Sequence, residues 1–202
     1  MNFYRIKEEA NKLLLYQKRL DTHFDVRELQ FPEKRIMFDS LQNYASVTGL
    51  PLSILLHDRT SPIRDGVRIY VPEHDLHLIL YNEDICCVER LRFTLAHETA
   101  HVILEHTEEC EKAELEADFF AAQLLSPWFT IKMLGDVVKP TASQLSAIFH
   151  ISTASANRRI SEMYKIRHIL TESDKRVYDL QREQAHRIFN ETYKRKRRIS
   201  YG

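Results

Sequence analysis

A helix-rich α+β fold is what this sequence predicts, and three observations carry the prediction. Several long stretches repeat apolar residues at the 3.6-residue period of a helix. One short region alternates at period two on either side of a turn, as a β-hairpin does. Only four Gly and six Pro occur among 202 residues, so long loops are few, and 44% hydrophobic content is enough for a real core.

The elements follow in order. Phe3, Ile6, Ala10, Leu13 and Leu14 stand at helical spacing and predict a helix within residues 3–20. A second helix is expected from Pro32 to about Val47, because Pro suits a first helical turn and Gly49 suits a stop. The apolar residues 50–57 open another short helix. Asp65-Gly66 signals a turn, Val67 to Val71 alternates and is rich in β-branched side chains, and Leu76 to Tyr81 is the return strand. Helical pattern resumes from Glu89 to His106 and again from Lys112 to Leu125, where Ser126-Pro127 ends it. Residues 141–164 read as two short helices around a tight connection. Residues 171–195 read as one long charged helix. Its apolar positions are sparse (Val177, Leu180, Ile188), so it is expected to stand partly away from the body.

Charge and cysteine content exclude several classes. Lys plus Arg equal Asp plus Glu, 29 each, which argues against a general nucleic-acid binder. The local basic run from Lys194 to Arg198 reads as a solvated tail. No apolar run approaches the roughly 18 residues of a membrane span, and no signal peptide is recognisable. Cys86, Cys87 and Cys110 are an odd set with two adjacent members, unlike a disulfide framework. A cytoplasmic protein without a membrane partner is expected.

The chemistry lies in His97-Glu98-Thr99-Ala100-His101. Residues four apart lie one helical turn apart on one face, so both imidazoles can reach one metal ion. Glu98 sits about 100° round from His97 and about 60° from His101. It stands beside the metal without ligating it, as a general base acting on an activated water requires. The flanking Phe93, Leu95, Ala96, Val102 and Ile103 make the helix largely buried, where two histidines and a carboxylate are costly unless satisfied. A catalytic zinc takes three protein ligands. His106, Glu111, Glu114 and Glu116 are the candidates for the third. His106 does not fit the class with a third His six residues after the second, since that place holds Thr107 and the Gly of its turn is missing. Periodicity does not choose among the glutamates: Glu114 and Glu116 lie on opposite edges of an apolar face.

Arg92-Phe93-Thr94-Leu95-Ala96 before the motif, and the block from Glu116-Ala117-Asp118-Phe119-Phe120-Ala121 to Leu124-Leu125-Ser126-Pro127, together resemble the ImmA/IrrE family of metallo-endopeptidases. The resemblance spans about residues 60–165. Ala100 stands where the family often has Gly, and Ser126 where Met is frequent. Neither change threatens the metal, since Ala is small and helix-compatible. The resemblance implies a zincin-like metallopeptidase core with a small antiparallel sheet and a helical C-terminal region. It implies a zinc ion held by His97, His101 and Glu116, with Glu98 catalytic. Asp118 is a candidate to orient a ligand histidine. In zincin folds an edge strand beside the site pairs with extended substrate, and Leu76 to Asn82 is the strand expected here, with Leu78, Leu80 and Asn82 as contacts. The implied substrate is a helix-turn-helix repressor of a mobile element, prophage or stress regulon.

Gln144 to Ser152, followed by Ala156-Asn157-Arg158-Arg159-Ile160, resembles a helix-turn-helix in which His150 takes the usual Gly place. Arg158 and Arg159 are its candidate phosphate contacts. Four regions are therefore expected. These are an N-terminal helical region (1–58), the metallopeptidase core (59–135), the helix-turn-helix-like unit (136–168) and a charged helix with its tail (169–202). The competing function is an antirepressor or DNA-associated regulator that works by binding alone.

Overall fold

The computed structural model describes residues 2–57, 65–108, 110–136, 139–165 and 169–200, leaving out the side chains of 164 and 195–200. Most of the basic run therefore lies outside the described side chains. The elements in chain order are α1 (Phe3–Tyr16), β1 (Arg35–Ser40), α2 (Leu41–Thr48), α3 (Leu52–Leu55), β2 (Gly66–Val71), β3 (Leu76–Tyr81), α4 (Val88–Ile103), α5 (Glu111–Leu125), α6 (Trp128–Gly135), α7 (Ala142–Phe149), α8 (Thr153–Lys165) and α9 (Glu172–Ser200). The chain divides into two compact units, residues 25–121 and residues 2–24 with 122–202. No helix among the described residues is long and apolar enough to cross a membrane.

The first unit is built on a three-stranded sheet of order β1-β3-β2. The expected hairpin is present: β2 and β3 pair antiparallel, with Val71 opposite Leu76, and Pro72 opens the short 3-10 turn between them. The sheet is mixed rather than wholly antiparallel, because β1 pairs parallel to β3. β1 occupies part of the stretch expected to be helical. Its burial alternates over Arg35 to Phe38, and pairing with β3 overrides the local pattern. The helix starts only at Leu41, after Ser40 has capped it by accepting from the Asn43 N–H at 2.9 Å. It stops as expected at Gly49, which takes φ 73°. β3 is the core strand, with Ile79 and Leu80 fully buried. α4 packs on β3 and β2, and its Leu95, Ala96 and Ala100 are buried.

The second unit is helical. The long helix α9 does not stand away: Val177, Gln181, Ala185 and Phe189 repeat every fourth residue and are buried, and α9 packs on α1, α6 and α7. Leu180, one of the apolar positions expected to anchor it, is exposed. Small and polar side chains make up half of the buried stripe, which is why apolar spacing alone missed it. α6 was not visible as a separate helix in the sequence, because it follows α5 after only Ser126-Pro127. α7 opens on a capping box between Thr141 and Gln144. It closes on His150, which takes the left-handed conformation (φ 53°) that Gly usually supplies there. Its ring stacks on His23 at 4.5 Å between centroids.

Candidate metal centre

Helix α4 holds His97 and His101 one turn apart on one face. Their Nε2 atoms lie 3.0 Å from each other. The third group is supplied by α5, and it is Glu114: its carboxylate lies 3.2 Å from His97 Nε2 and 3.4 Å from His101 Nε2. His97, His101 and Glu114 are the one such trio found among the described residues whose donor atoms all lie within 4.8 Å of one another. Ligand atoms around a tetrahedral metal at ~2.0–2.1 Å are ~3.3 Å apart, so this spacing and this His-His-carboxylate chemistry fit zinc.

Glu116 is placed elsewhere. It lies about 200° round the helix from Glu114, and its Oε2 meets His106 Nε2 at 3.3 Å. Asp118, one turn beyond Glu114 on the same face, reaches the first histidine: its Oδ1 lies 3.0 Å from His97 Nδ1. Its carboxylate oxygen accepts the His97 proton on Nδ1 and leaves Nε2 turned toward Glu114 and His101. The remaining glutamate candidate, Glu111, begins α5 and is exposed.

Electrostatics separate the two imidazoles. Burial opposes the charged form of His97, but the Asp118 hydrogen bond and the carboxylates of Glu98, Asp118 and Glu114 outweigh it and hold the pKa above the ordinary value. Burial, followed by the positive charges of His97, Arg68 and His106, pushes His101 down to about 3. His101 is thus neutral and able to ligate, whereas at His97 a metal competes with a proton that the neighbouring carboxylates favour.

Glu98 is half-buried on α4. Gly66, at the start of β2, comes so close to this helix that a Cβ there would lie 2.7 Å from Thr94 Cγ2 and 3.3 Å from Glu98 Cγ. The sequence showed Gly66 only as part of a turn signal. Its approach brings β2 beside Glu98, and among the described residues β2 is an edge of the sheet. The strand expected to meet substrate, β3, is internal and paired on both sides. Leu80 is fully buried, and Asn82 is buried with its side-chain oxygen accepting from Gln42 and the Asp84 N–H. Leu78 pairs with both Met37 and Ile69. None of the three can add a strand.

In the second unit Arg158 is exposed, but Arg159 is not a phosphate contact. It is 1% exposed, bound to the Gln123 side chain, the Ser126 carbonyl at 3.0 Å and Glu162 at 3.3 Å.

The profile of a peptidase family described as the IrrE N-terminal-like domain matches residues 52–161. No curated protein matches the chain significantly.

Proposed function

The chain belongs to the IrrE N-terminal-like peptidase family and is a metallo-endopeptidase, and from that premise we propose that it is a zinc enzyme that cuts one selected protein in the cytoplasm, a helix-turn-helix transcriptional repressor of a mobile element, prophage or stress regulon. One observation carries the zinc reading: three electron-pair donors, His97 Nε2, His101 Nε2 and the Glu114 carboxylate, converge within 3.0–3.4 Å of one another. With Asp118 keeping the His97 proton on Nδ1, such a trio turns its lone pairs toward one point and suits a cation there. Glu114 is the third ligand in this reading, in place of Glu116. The repressor substrate rests on the family resemblance, and three exposed free cysteines suit a reducing compartment.

A zinc ion here would polarise the scissile carbonyl and make an adjacent water acidic enough to give up a proton near neutral pH. The chain's own residues do the rest. Glu98 accepts that proton and delivers it to the leaving amine. Asp118 holds His97 in the ligating tautomer. The outer edge of β2, unpaired among the described residues and close to Glu98 through Gly66, pairs with the extended substrate in place of β3.

The test is metal content followed by cleavage. Wild type is expected to bind zinc stoichiometrically, and His97→Ala and Glu114→Ala to lose it. The wild type should cut a repressor encoded beside its gene, and Glu98→Gln should keep the zinc and leave the repressor whole. Zinc retained in Glu114→Ala and lost in Glu116→Ala would return the third ligand to Glu116. Relief of repression by Glu98→Gln in cells would show that binding alone suffices.

A further inference from the structure

Each imidazole of the metal centre turns one nitrogen to the converging donors and one away. The outward nitrogen of His97 meets a carboxylate directly, Asp118. The outward nitrogen of His101 meets another imidazole: His106 Nδ1 lies 3.0 Å from His101 Nδ1. Behind it, His106 Nε2 lies 3.3 Å from Glu116 Oε2. The His106 and Glu116 side chains are only 10% and 17% exposed. We propose that Glu116 and His106 form a positioning relay that fixes the tautomer and orientation of His101, so that its Nε2 faces the metal. The inference rests on the reading of His97, His101 and Glu114 as ligands.

Donor and acceptor counting sets the direction of the relay. Glu116 as a carboxylate only accepts, so His106 carries its proton on Nε2 and donates it there. His106 Nδ1 is then bare and can only accept. His101 therefore carries its proton on Nδ1, donates it to His106, and keeps an open lone pair on Nε2. In this arrangement every nitrogen of the two rings that points away from the metal has a partner. The two ligand histidines thus have unequal supports, a carboxylate in direct contact for His97 and one reached through His106 for His101.

The backbone is shaped to bring His106 there. α4 ends in a Schellman closure: the His106 N–H donates to the His101 carbonyl at 3.0 Å, and the Glu105 N–H donates to the Val102 carbonyl at 3.2 Å. The residue at the left-handed position is Glu105, φ 58°, where Gly would be unstrained. Glu105 is held by an ion pair with Lys34 at 2.6 Å. The same turn that ends the helix folds the His106 ring back onto the ligand whose carbonyl its backbone already holds.

The test compares wild type with His106→Ala, Glu116→Ala, Glu116→Gln and the double alanine variant. Cobalt(II) affinity is read by competition with a chromophoric chelator, cobalt geometry from the visible d–d bands, and folding from the melting of the metal-free proteins. His106→Ala and Glu116→Ala are each expected to weaken cobalt binding about 10- to 100-fold and shift the bands, with metal-free melting unchanged. The double variant should be no worse than His106→Ala, because Glu116 acts through His106. Glu116→Gln, which still offers an acceptor oxygen, should recover most of the affinity. Unchanged affinity in either alanine variant, additive losses in the double, or losses that track a fall in metal-free melting would overturn the relay. So would Glu116→Ala losing metal as fully as His97→Ala, which would make Glu116 a ligand. Failure of the metal centre itself reads differently: wild type would take up no cobalt, and the relay would fall with it.

Discussion

Both units bury polar side chains at a cost, and they resolve that cost in opposite ways. In the helical unit Asp174 is 2% exposed and accepts from Lys7 at 2.5 Å, Asn11 at 2.8 Å and Trp128 at 2.9 Å. Asn11 accepts in turn from Gln123, whose side-chain oxygen takes the Arg159 guanidinium. Donors and acceptors are matched, and the network closes on itself. In the sheet-bearing unit His97, His101 and Glu114 bring three acceptors together, while Asp118 and His106 take the donors on the outer side. Burial alone does not mark a functional site. A buried group whose donors and acceptors match is structural; one that is satisfied on its outer side and turns a lone pair toward other acceptors is a candidate cation ligand. Arg159 belongs to the first kind although its sequence context suggested phosphate binding, and His101 belongs to the second.

Substitutions in each unit should separate the two kinds. The largest effect is expected from Glu98→Gln, with turnover falling by about 10²- to 10⁴-fold while melting and metal content hold; a single-turnover cleavage assay on the substrate reads it. Next is Asp174→Ala, which strands the buried Lys7 and should cost about 3–5 kcal/mol of stability in urea unfolding, with the metal site intact. The pH dependence of this pair has a defined sign. Burial raises the Asp174 pKa, but hydrogen bonds from Lys7, Asn11 and Thr171, with the charge of Lys7, overcome it and hold the pKa below the ordinary value. The stabilisation is therefore present above the unfolded carboxyl pKa near ~4 and lost as pH falls through the depressed folded value. Asp174→Asn should flatten that part of the acid-unfolding curve.

Asp118→Ala should weaken metal binding by about 10- to 100-fold with little change in melting, measured by chelator competition. Wild-type affinity should also drop as pH falls through the raised His97 pKa, since the metal must displace that proton, and the variant should lose this feature above the ordinary imidazole range. Gly66→Ala should cost about 1–3 kcal/mol, because the added methyl must displace Thr94 or push β2 from the helix. A larger loss in kcat/KM than in stability would support β2 as the substrate edge. The smallest effect belongs to Glu105→Gly, which relieves the left-handed strain worth about 1 kcal/mol but removes the Lys34 pair. A net change within about 1 kcal/mol of zero in urea unfolding fits both terms.

What could be read from the sequence was whatever depends on residues near one another along the chain. The spacing of His97, Glu98 and His101, the extent of α4 and α5, the β2–β3 hairpin and the Gly49 stop all follow from local periodicity and backbone preference. The family blocks around them carried the class of enzyme. What required tertiary structure was every choice between alternatives that are locally equivalent. Glu114 and Glu116 both edge the same apolar face, and only the placement of α5 against α4 turns one toward the imidazoles and the other toward His106. Residues 35–40 became a strand because β3 offered a partner, and that pairing made β3 internal and moved the free edge beside Glu98 to β2. The depth of α9 was hidden because Gln181 and Ala185, not only large apolar side chains, face its neighbours. Rotation about a helix axis and neighbours across a sheet are set by contacts distant in sequence, and a single chain read in order holds no signal for them.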